Sequence, residues 1–324
     1  MPDRPFSAVV GSDVWRGQAE EWLRERCAET GRRVIAEIEQ PRIRPWSTQL
    51  VAPTDAGRVW FKATCPAQSF EPALQAVLAA AVPDRVDPPL AIDALRGWML
   101  TCDRGATLAQ IHRPDLEDWQ HVVHEAALVQ REVAGRAGAL LATGLPDCSP
   151  ASVPARFDAL LDQLTALPAA HPSQLTGELL DRLSAARPRV EQAAATLDDG
   201  PMPVTLQHGD LHPGNLFVVD DGVRMFDFGD AQLAHPLEIL AVPWAVLTHG
   251  LALPWEPVLA AYHAAWSDLV SRSELDRLLR AAMITQPVNR TQTWCDALAM
   301  ASPAEVADWG EAPLRHLSHV ILRA

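Results

Sequence analysis

The sequence lacks the features that mark secreted, membrane-spanning and disulfide-rich chains. Its start, residues 1–5, has no apolar run of the kind found in a secretory signal. The most apolar stretch, residues 239–255, is interrupted by Pro243 and Pro254 and favours buried helices over a membrane span. The five cysteines include no CxxC pair, and an odd number cannot pair completely within one chain. We therefore expect a cytoplasmic protein without a membrane partner.

Positive charge is scarce as well. The 27 lysine and arginine residues are outnumbered by 41 aspartate and glutamate residues, which gives a formal net charge of -14 at pH 7. A chain with this charge repels nucleic-acid phosphates, so no nucleic-acid partner is expected. A cationic or polyhydroxylated small molecule fits the charge better, although acidic runs are more often simply solvated surface. The sequence predicts no particular oligomeric state.

Three polar residues near the middle of the chain have types and an order that suit phosphoryl transfer. Asn215 follows Asp210 by five residues, and Asp227 follows Asn215 by twelve. A carboxylate can take the proton of a hydroxyl, and hard oxygen ligands hold magnesium beside a triphosphate. Residues 215–219 and 223–226 flank Asp220-Asp221-Gly222, a strong turn signal, which predicts a hairpin that brings Asn215 and Asp227 together. Each type is also common in turns, so the prediction depends on the ordered set.

A metallohydrolase is the competing interpretation of the same segment. His208, Asp210 and His212 alternate along the chain, so an extended conformation would place them on one face, where they could ligate zinc or a metal pair. That interpretation leaves Asn215 and the Asp227 hairpin unexplained. We therefore expect the two imidazoles to hold the loop through hydrogen bonds.

The segments HGDLHPGN (208–215) and FDFGDA (226–231) resemble the aminoglycoside phosphotransferase and choline kinase branch of the protein-kinase-like fold. The resemblance implies that Asp210 is the catalytic base and that Asn215 and Asp227 are ligands of Mg²⁺, with ATP or GTP as the phosphate donor. It also implies an α+β, bilobal fold, with a small N-terminal antiparallel-sheet lobe and a larger, mainly helical C-terminal lobe. Protein kinases usually carry arginine where this chain has Gly209, and the stretch after Asp227 is short, which favours a small-molecule acceptor.

The upstream half contains candidates for a nucleotide-binding lobe. A helix is predicted at about 14–30, strands at 34–39 and 43–53, and a further strand at 58–63 that carries Lys62. Lys62 resembles the kinase lysine that neutralises the α- and β-phosphates, and a solvated strand lysine is the alternative. Glu71 opens a helical pattern over 70–81. It is predicted to pair with Lys62, although the helix dipole alone also favours an acid there.

The adenine and phosphate contacts are predicted from weaker signals. Residues 98–103 read as a buried strand that resembles the family hinge, where the backbone at Leu100 and Cys102 would meet the adenine. Residues 41–57 contain no Gly-x-Gly, and the chain has no Walker-type GxxxxGK[ST] loop. Ser47 is predicted to supply a hydroxyl or a backbone amide to the phosphates instead, with a plain surface turn as the alternative.

The predicted domain boundary lies at the hinge. Residues 1–103 would form the nucleotide-binding lobe and residues 104–324 the catalytic and acceptor-binding lobe, and 48% hydrophobic content is ample for two cores. The second lobe is expected to be helical over 121–141, 153–166, 174–198, 257–270, 274–284, 292–300 and 303–322.

These features together predict an ATP-dependent phosphotransferase that acts on a hydroxyl of a small molecule, such as an aminoglycoside or another amino sugar. A choline- or homoserine-type metabolite is the alternative acceptor. A nucleotide-binding pseudokinase is the alternative from a different class, and the intact set of Lys62, Asp210, Asn215 and Asp227 weighs against it.

Overall fold

The computed structural model describes residues 4–219 and 222–322. The helices are α1 (Phe6–Val10), α2 (Asp13–Glu29), α3 (Glu71–Ala81), α4 (Leu108–Ile111), α5 (Leu116–Val133), α6 (Ala137–Leu141), α7 (Val153–Thr165), α8 (Gly177–Ala185), α9 (Arg187–Asp198), α10 (Ala241–Ala245), α11 (Trp255–Ala264), α12 (Arg272–Ala297), α13 (Pro303–Trp309) and α14 (Ala312–Leu322). The strands are β1 (Glu39–Ile43), β2 (Ser47–Thr54), β3 (Gly57–Thr64), β4 (Ala91–Asp93), β5 (Trp98–Cys102), β6 (Thr205–Gln207), β7 (Leu216–Val219), β8 (Gly222–Met225) and β9 (Gln232–Ala234). None of the described helices is long and apolar enough to cross a membrane.

An antiparallel sheet forms the N-terminal part of the described chain, with its strands in the order β1-β2-β3-β5-β4. The hairpin between β2 and β3 turns at Gly57, whose φ of 97° lies in the left-handed region that glycine tolerates best. Lys62 on β3 lies opposite Gln49 on β2 and Met99 on β5. Because side chains alternate between the faces of a strand, these three share one face of the sheet.

The opposite face of the sheet is covered by α2. Trp15 and Trp22 of this helix contact Phe61 and Trp98 of the sheet, with ring centroids 5.6 to 6.1 Å apart in tilted or edge-on geometry. Such arrangements match the aromatic quadrupole and contribute about 0.5–1.5 kcal/mol per pair beyond the buried area. Leu100 is fully buried in this core, which packs against the face of the sheet opposite to Lys62.

Helices form most of the described chain after residue 103, with α12 at their centre. It begins after Ser271, whose side chain accepts a hydrogen bond from the backbone of Glu274, and it continues through a buried Pro287. α12 packs against α7, α9 and α14. The small hairpin of β7 and β8 lies between these helices and the sheet, and its predicted turn residues Asp220 and Asp221 lie outside the described residues.

The predicted α+β class is confirmed, but several element boundaries were wrong. The first strand of the sheet is Glu39–Ile43 and not 34–39, and Val34 makes only an isolated bridge to Thr54. The helices predicted at 274–284 and 292–300 are one helix, because α12 accommodates Pro287 without ending. The stretch 303–322 divides near Gly310 into two helices, and 174–198 divides at Ala186. The predicted helix at 257–270 ends at Ala264.

A buried carboxyl in the helical part makes stability depend on pH. Glu238 is almost fully buried and accepts hydrogen bonds from Thr285 Oγ1 at 2.6 Å and Asn289 Nδ2 at 2.9 Å. Burial raises the pKa of Glu238 to about 7, against the lowering effect of these hydrogen bonds. In the unfolded chain a glutamate titrates near 4.3, so between about pH 4.3 and 7 the folded state binds the extra proton.

The sign of this linkage is that stability falls as the pH rises through that window. The wild type should lose on the order of 3 kcal/mol of unfolding free energy between pH 5 and pH 8 through Glu238, and Glu238→Gln should not show this loss. Urea unfolding of both proteins at the two pH values measures the difference. Equal losses in both proteins would mean that Glu238 is ionised throughout.

Candidate active site

A cavity of about 620 Å³ lies between the sheet and the hairpin of β7 and β8, within the range of about 300–1,000 Å³ usual for small-molecule sites. One wall is the face of the sheet that carries Lys62. The other wall is formed by residues in and next to the two strands of the hairpin. The lining includes Trp60, Lys62, Met99, Thr101, Asp103, Asn215, Phe217, Phe226 and Asp227. We call this space the larger cavity.

Lys62 connects the two walls of the larger cavity. Its Nζ donates to Glu71 Oε1 at 2.7 Å and to Asp227 Oδ1 at 2.6 Å. Burial favours a lower pKa for Lys62, but the charges of Asp227 and Glu71 outweigh it and raise the pKa above its ordinary value. Burial likewise works to raise the pKa of Asp227, but Lys62 outweighs it and the pKa is lowered. The pair therefore remains charged at neutral pH.

The fully buried Glu71 stands at the first position of α3. Burial raises the pKa of its carboxyl, and Lys62 acts to lower it. One of its oxygens, Oε2, has no hydrogen-bond partner among the described residues. The partial positive charge of the helix N-terminus and the ammonium of Lys62 both offset the negative charge of the Glu71 carboxylate. Through its hydrogen bond to Nζ, Glu71 fixes the direction in which the Lys62 side chain points.

The loop 208–215 is held by its own histidines. His208 Nε2 donates to the carbonyl of Phe226 at 3.1 Å, and His208 Nδ1 accepts from the backbone of Asp210 at 3.4 Å. Burial lowers the pKa of His208, which keeps the ring neutral, as one donating and one accepting nitrogen require. Gly209 has a φ of 84°, and a Cβ there would collide with the backbone carbonyl of Asp230. A larger residue at 209 would therefore displace the loop.

Asn215 and Asp227 are neighbours across the start of the β7 and β8 hairpin. The backbone of Phe226 donates to the carbonyl of Asn215 at 3.2 Å, and Asn215 Nδ2 donates to the carbonyl of Asp210 at 2.9 Å. The second bond leaves Oδ1 of Asn215 as a free ligand atom. Asp227 has a φ of 66°, an unfavourable conformation for a residue other than glycine and one that is concentrated at functional sites.

A second cavity of about 300 Å³ opens on the other side of the same residues. It is lined by Ser47, Gln68, Asp210, His212, Asp230 and Arg290, with Trp46 and Trp294 as aromatic walls. Four residues line both spaces: Arg42, Lys62, Asn215 and Asp227. We call this space the smaller cavity, and the two cavities meet at the candidate metal ligands.

The electrostatics of the smaller cavity keep Asp210 ionised. His212 Nε2 lies 3.4 Å from Asp210 Oδ2. Burial works to raise the pKa of Asp210, but the hydrogen bond from His212 and the charge of Arg290 outweigh it, and the pKa is lowered. Arg290 Nη1 lies 2.7 Å from Asp230 Oδ2, at an angle unsuitable for a hydrogen bond, so this contact is an ion pair.

The sequence profile of the phosphotransferase enzyme family matches residues 74–278, well over half of the chain and all of the loop and hairpin just described. The chain belongs to this family. No curated protein sequence matches the phosphotransferase significantly.

Solved structures resemble the phosphotransferase over nearly its whole length. An ethanolamine kinase from Plasmodium vivax has a TM-score of 0.65 at 10% identity and covers 98% of this chain and 95% of its own. A type I macrolide 2'-phosphotransferase has a TM-score of 0.59 at 16% identity, with 92% and 96% covered. A spectinomycin phosphotransferase in complex with ADP and spectinomycin has a TM-score of 0.51 at 12% identity, with 93% of both chains covered.

These likenesses confirm the predicted protein-kinase-like fold, and the family identifies the chain as a small-molecule phosphotransferase. The fold places Lys62, Glu71, Asp210, Asn215 and Asp227 around the junction of the two cavities. These five residues were chosen from the sequence as site candidates. Ser47 lines the smaller cavity and is almost fully buried, so it is not the surface turn that was the alternative.

The side chains of Leu100 and Cys102 do not line either cavity, and the predicted contact of their backbone with the adenine stays a prediction. Leu100 is buried on the α2 side of the sheet and its carbonyl accepts from the backbone of Leu90 at 2.7 Å. Cys102 Sγ lies 3.5 Å from Arg32 Nη2 on that same side. The side chains that reach the larger cavity are the alternate ones, Met99 and Thr101, because successive residues of a strand point in opposite directions.

Sequence reasoning missed part of the phosphotransferase site. Arg42 lines both cavities, and neither its type nor its position in a strand distinguishes it in the sequence. Trp46, Trp294 and Trp309 form one cluster with centroids 5.2 to 6.3 Å apart, although they come from distant segments. For Lys62 the sequence contains one further signal. It is the only lysine in the chain, and every other Lys/Arg position is arginine.

Proposed function

We propose that this phosphotransferase transfers the γ-phosphate of ATP, with Mg²⁺, to a hydroxyl of a compact small molecule. The observation that carries the proposal is the pair of cavities that meet at Lys62, Asn215 and Asp227, with Asp210 in the smaller one. A nucleotide in the larger cavity and an acceptor in the smaller one would place the two reactants on either side of these residues. The spectinomycin phosphotransferase of related fold was solved with ADP, which supports an adenine nucleotide as the phosphate donor.

Asp210 is the proposed base. Its lowered pKa keeps it ionised at neutral pH, so it can orient the acceptor hydroxyl and accept its proton as the oxygen attacks phosphorus. His212 steadies the carboxylate, and His208 holds the backbone of the loop. Lys62 places a point charge for the phosphate oxygens, because Glu71 fixes its direction.

The donor set at the junction suits magnesium. Asn215 offers Oδ1, and Asp227 offers the carboxylate oxygen that Lys62 does not occupy, both of them the hard oxygen ligands that Mg²⁺ prefers. Magnesium held there would neutralise negative charge on the phosphates during transfer. We assign nucleotide binding to residues 1–103 and catalysis and acceptor binding to residues 104–324.

The acceptor that we propose is compact and carries little positive charge. The smaller cavity, at about 300 Å³, lies at the lower end of the usual range of about 300–1,000 Å³. Each carboxylate that lines it among the described residues already has a basic partner: Asp210 with His212, Asp227 with Lys62, and Asp230 with Arg290. A single amino sugar or a choline- or homoserine-sized alcohol fits this space better than a multi-ring aminoglycoside with several ammonium groups.

Acceptor-dependent ADP release tests the proposal. The panel would contain choline, ethanolamine, homoserine, glucosamine and a three-ring aminoglycoside, each with ATP and magnesium. We expect kcat/KM for the best compact acceptor to exceed that for the aminoglycoside by more than about tenfold, a step that corresponds to 1.4 kcal/mol. Equal or better turnover of the aminoglycoside would contradict the compact acceptor. ATP binding without ADP release from any member would favour a pseudokinase.

A further inference from the structure

The hairpin of β1 and β2 occupies the place where a glycine-rich loop would cover the phosphates. Its tip is Arg44-Pro45-Trp46, where the backbone of Arg44 donates to the carbonyl of Ser47 at 2.8 Å. It contains no glycine, the residue that makes the closest approach of backbone amides to phosphates easiest. Side chains of the hairpin are therefore candidates for additional donors to the phosphates.

Arg42 stands at the right place in this hairpin. It lies opposite Gln49, which in turn lies opposite Lys62, so Arg42 and Lys62 are in one row on one face of the sheet. They are two strands apart, a backbone distance of about 10 Å, which an arginine side chain can span in large part. Arg42 lines both cavities, as do only Lys62, Asn215 and Asp227 among the described residues.

The guanidinium of Arg42 has no acidic partner among the described residues. Among the described residues it makes no ion pair and no side-chain hydrogen bond, and its Nε is buried without an acceptor. A buried donor without a partner is costly, and native structures rarely keep one unless a ligand or water satisfies it. The other lysine and arginine side chains at the two cavities differ, because each has an acidic partner: Lys62 has Glu71 and Asp227, Arg58 has Asp103, and Arg290 has Asp230.

The hairpin that carries Arg42 is anchored at its tip. Trp46 packs edge-on against Trp294 of α12 at 5.6 Å and Trp309 of α13 at 5.2 Å. The carbonyl of Arg42 also accepts a hydrogen bond from Thr48 Oγ1 at 2.9 Å. The tryptophan contacts tie the hairpin to the helical lobe and the Thr48 bond holds the hairpin together, so the backbone of Arg42 belongs to an anchored element.

We propose that Arg42 is the phosphate clamp of this enzyme and binds the terminal phosphate oxygens of ATP where the two cavities meet. A guanidinium binds two phosphate oxygens at once, which combines charge with orientation. The inference rests on the proposed ATP-dependent function, because it assigns a ligand to the nucleotide site of that reaction.

Calorimetric binding of ATP, ADP and adenosine, with magnesium and without acceptor, tests Arg42. In Arg42→Gln we expect the Kd for ATP to rise about 10–100-fold, the Kd for ADP to rise less, and the Kd for adenosine to stay at its wild-type value. Arg42→Lys keeps the positive charge but loses the forked guanidinium. Its Kd for ATP should lie between that of the wild type and that of Arg42→Gln. Arg33→Gln removes an exposed arginine that lines neither cavity and lies near Asp55, and it should bind all three ligands as the wild type does.

The outcomes separate the two proposals. If Arg42→Gln binds ATP within about twofold of the wild type, the clamp is wrong and the proposed function stands. If the Kd for adenosine rises as much as the Kd for ATP in this variant, Arg42 stabilises the fold of the lobe and does not bind the phosphates. This result would also overturn the phosphate-clamp proposal. If the wild type does not prefer ATP to adenosine, the proposed function itself fails.

Discussion

Asp210→Asn should lower kcat for the best acceptor by about 10²–10⁴-fold, the usual contribution of a general base. Asparagine has nearly the same shape but cannot accept the hydroxyl proton. The backbone of Asp210 is fixed by His208 Nδ1, and its side chain lies 3.4 Å from His212, so the substitution leaves the loop in position. Steady-state ADP release at saturating ATP and acceptor measures the effect.

Nucleotide affinity is the internal control for this variant. Asp210 lines the smaller cavity and not the larger one, so the Kd for ATP should stay within about twofold of the wild type. Asp268→Asn, which removes an exposed aspartate that pairs with Arg131, is the matched substitution and should leave kcat unchanged. Wild-type turnover in Asp210→Asn would show that another group accepts the proton.

The proximity of Asp210, Asn215 and Asp227 could be predicted because the geometry of this segment is local. Asp210 and Asn215 lie on one loop, and Asp227 follows a hairpin whose strands and turn have strong local signals. Local hydrogen bonds then complete the arrangement, such as that from Asn215 Nδ2 to the carbonyl of Asp210. Lys62 and Glu71 were chosen in the same way, from a strand and from a helix start, and their Nζ to Oε1 distance is 2.7 Å.

The strand predicted at 98–103 is present as β5, but the sequence did not show which of its two faces meets the cavity. The side chain of Leu100 lies on the face that packs on α2, and the backbone contacts of Leu100 and Cys102 with the adenine stay a prediction. A shift of one residue along a strand moves every side chain to the other face. Which face met the cavity depended on where α2 packed, and the hydrophobic run 98–100 contained no alternation that could reveal it.

The remaining site residues depend on contacts between distant segments. Trp46 reaches Trp294 and Trp309 only because the β1 and β2 hairpin approaches α12 and α13, and no local pattern encodes that approach. Arg42 becomes notable only once its missing partner is seen in the folded chain. The aromatic cluster supports the role proposed for Arg42, because it anchors the hairpin that carries this residue. A guanidinium on an anchored hairpin could bind phosphate oxygens, as the backbone amides of a glycine-rich loop do.

The single lysine carries a chemical argument of its own. Every other Lys/Arg position in the chain is arginine, yet position 62 is lysine. An ammonium is a compact point charge that fits between Glu71, Asp227 and a phosphate, whereas a planar guanidinium at this position would need more room in a nearly fully buried site. In the proposed reaction, Lys62 and Arg42 would therefore divide the phosphate contacts by shape.

Asp227→Ala should lower turnover by more than about 10³-fold at any magnesium concentration. The substitution removes the carboxylate proposed to hold magnesium, and it also removes one of the two partners of Lys62 Nζ, at 2.6 Å. Glu71 alone would then hold Lys62 and draw it away from the phosphates. ADP release measured over a magnesium titration, together with ATP binding, tests this expectation.

Asp227→Asn separates the two losses caused by the alanine substitution. Asparagine keeps an oxygen that can accept from Lys62 but lacks the negative charge that strengthens magnesium binding. The magnesium dependence of this variant should therefore shift to higher concentrations while Lys62 stays in place. A response of Asp227→Asn to magnesium identical to that of the wild type would remove the metal role from Asp227 and leave it as a positioning residue for Lys62. Hydrolytic activity of Asp227→Ala without ATP would instead support the metallohydrolase, since His208, Asp210 and His212 remain intact in that variant.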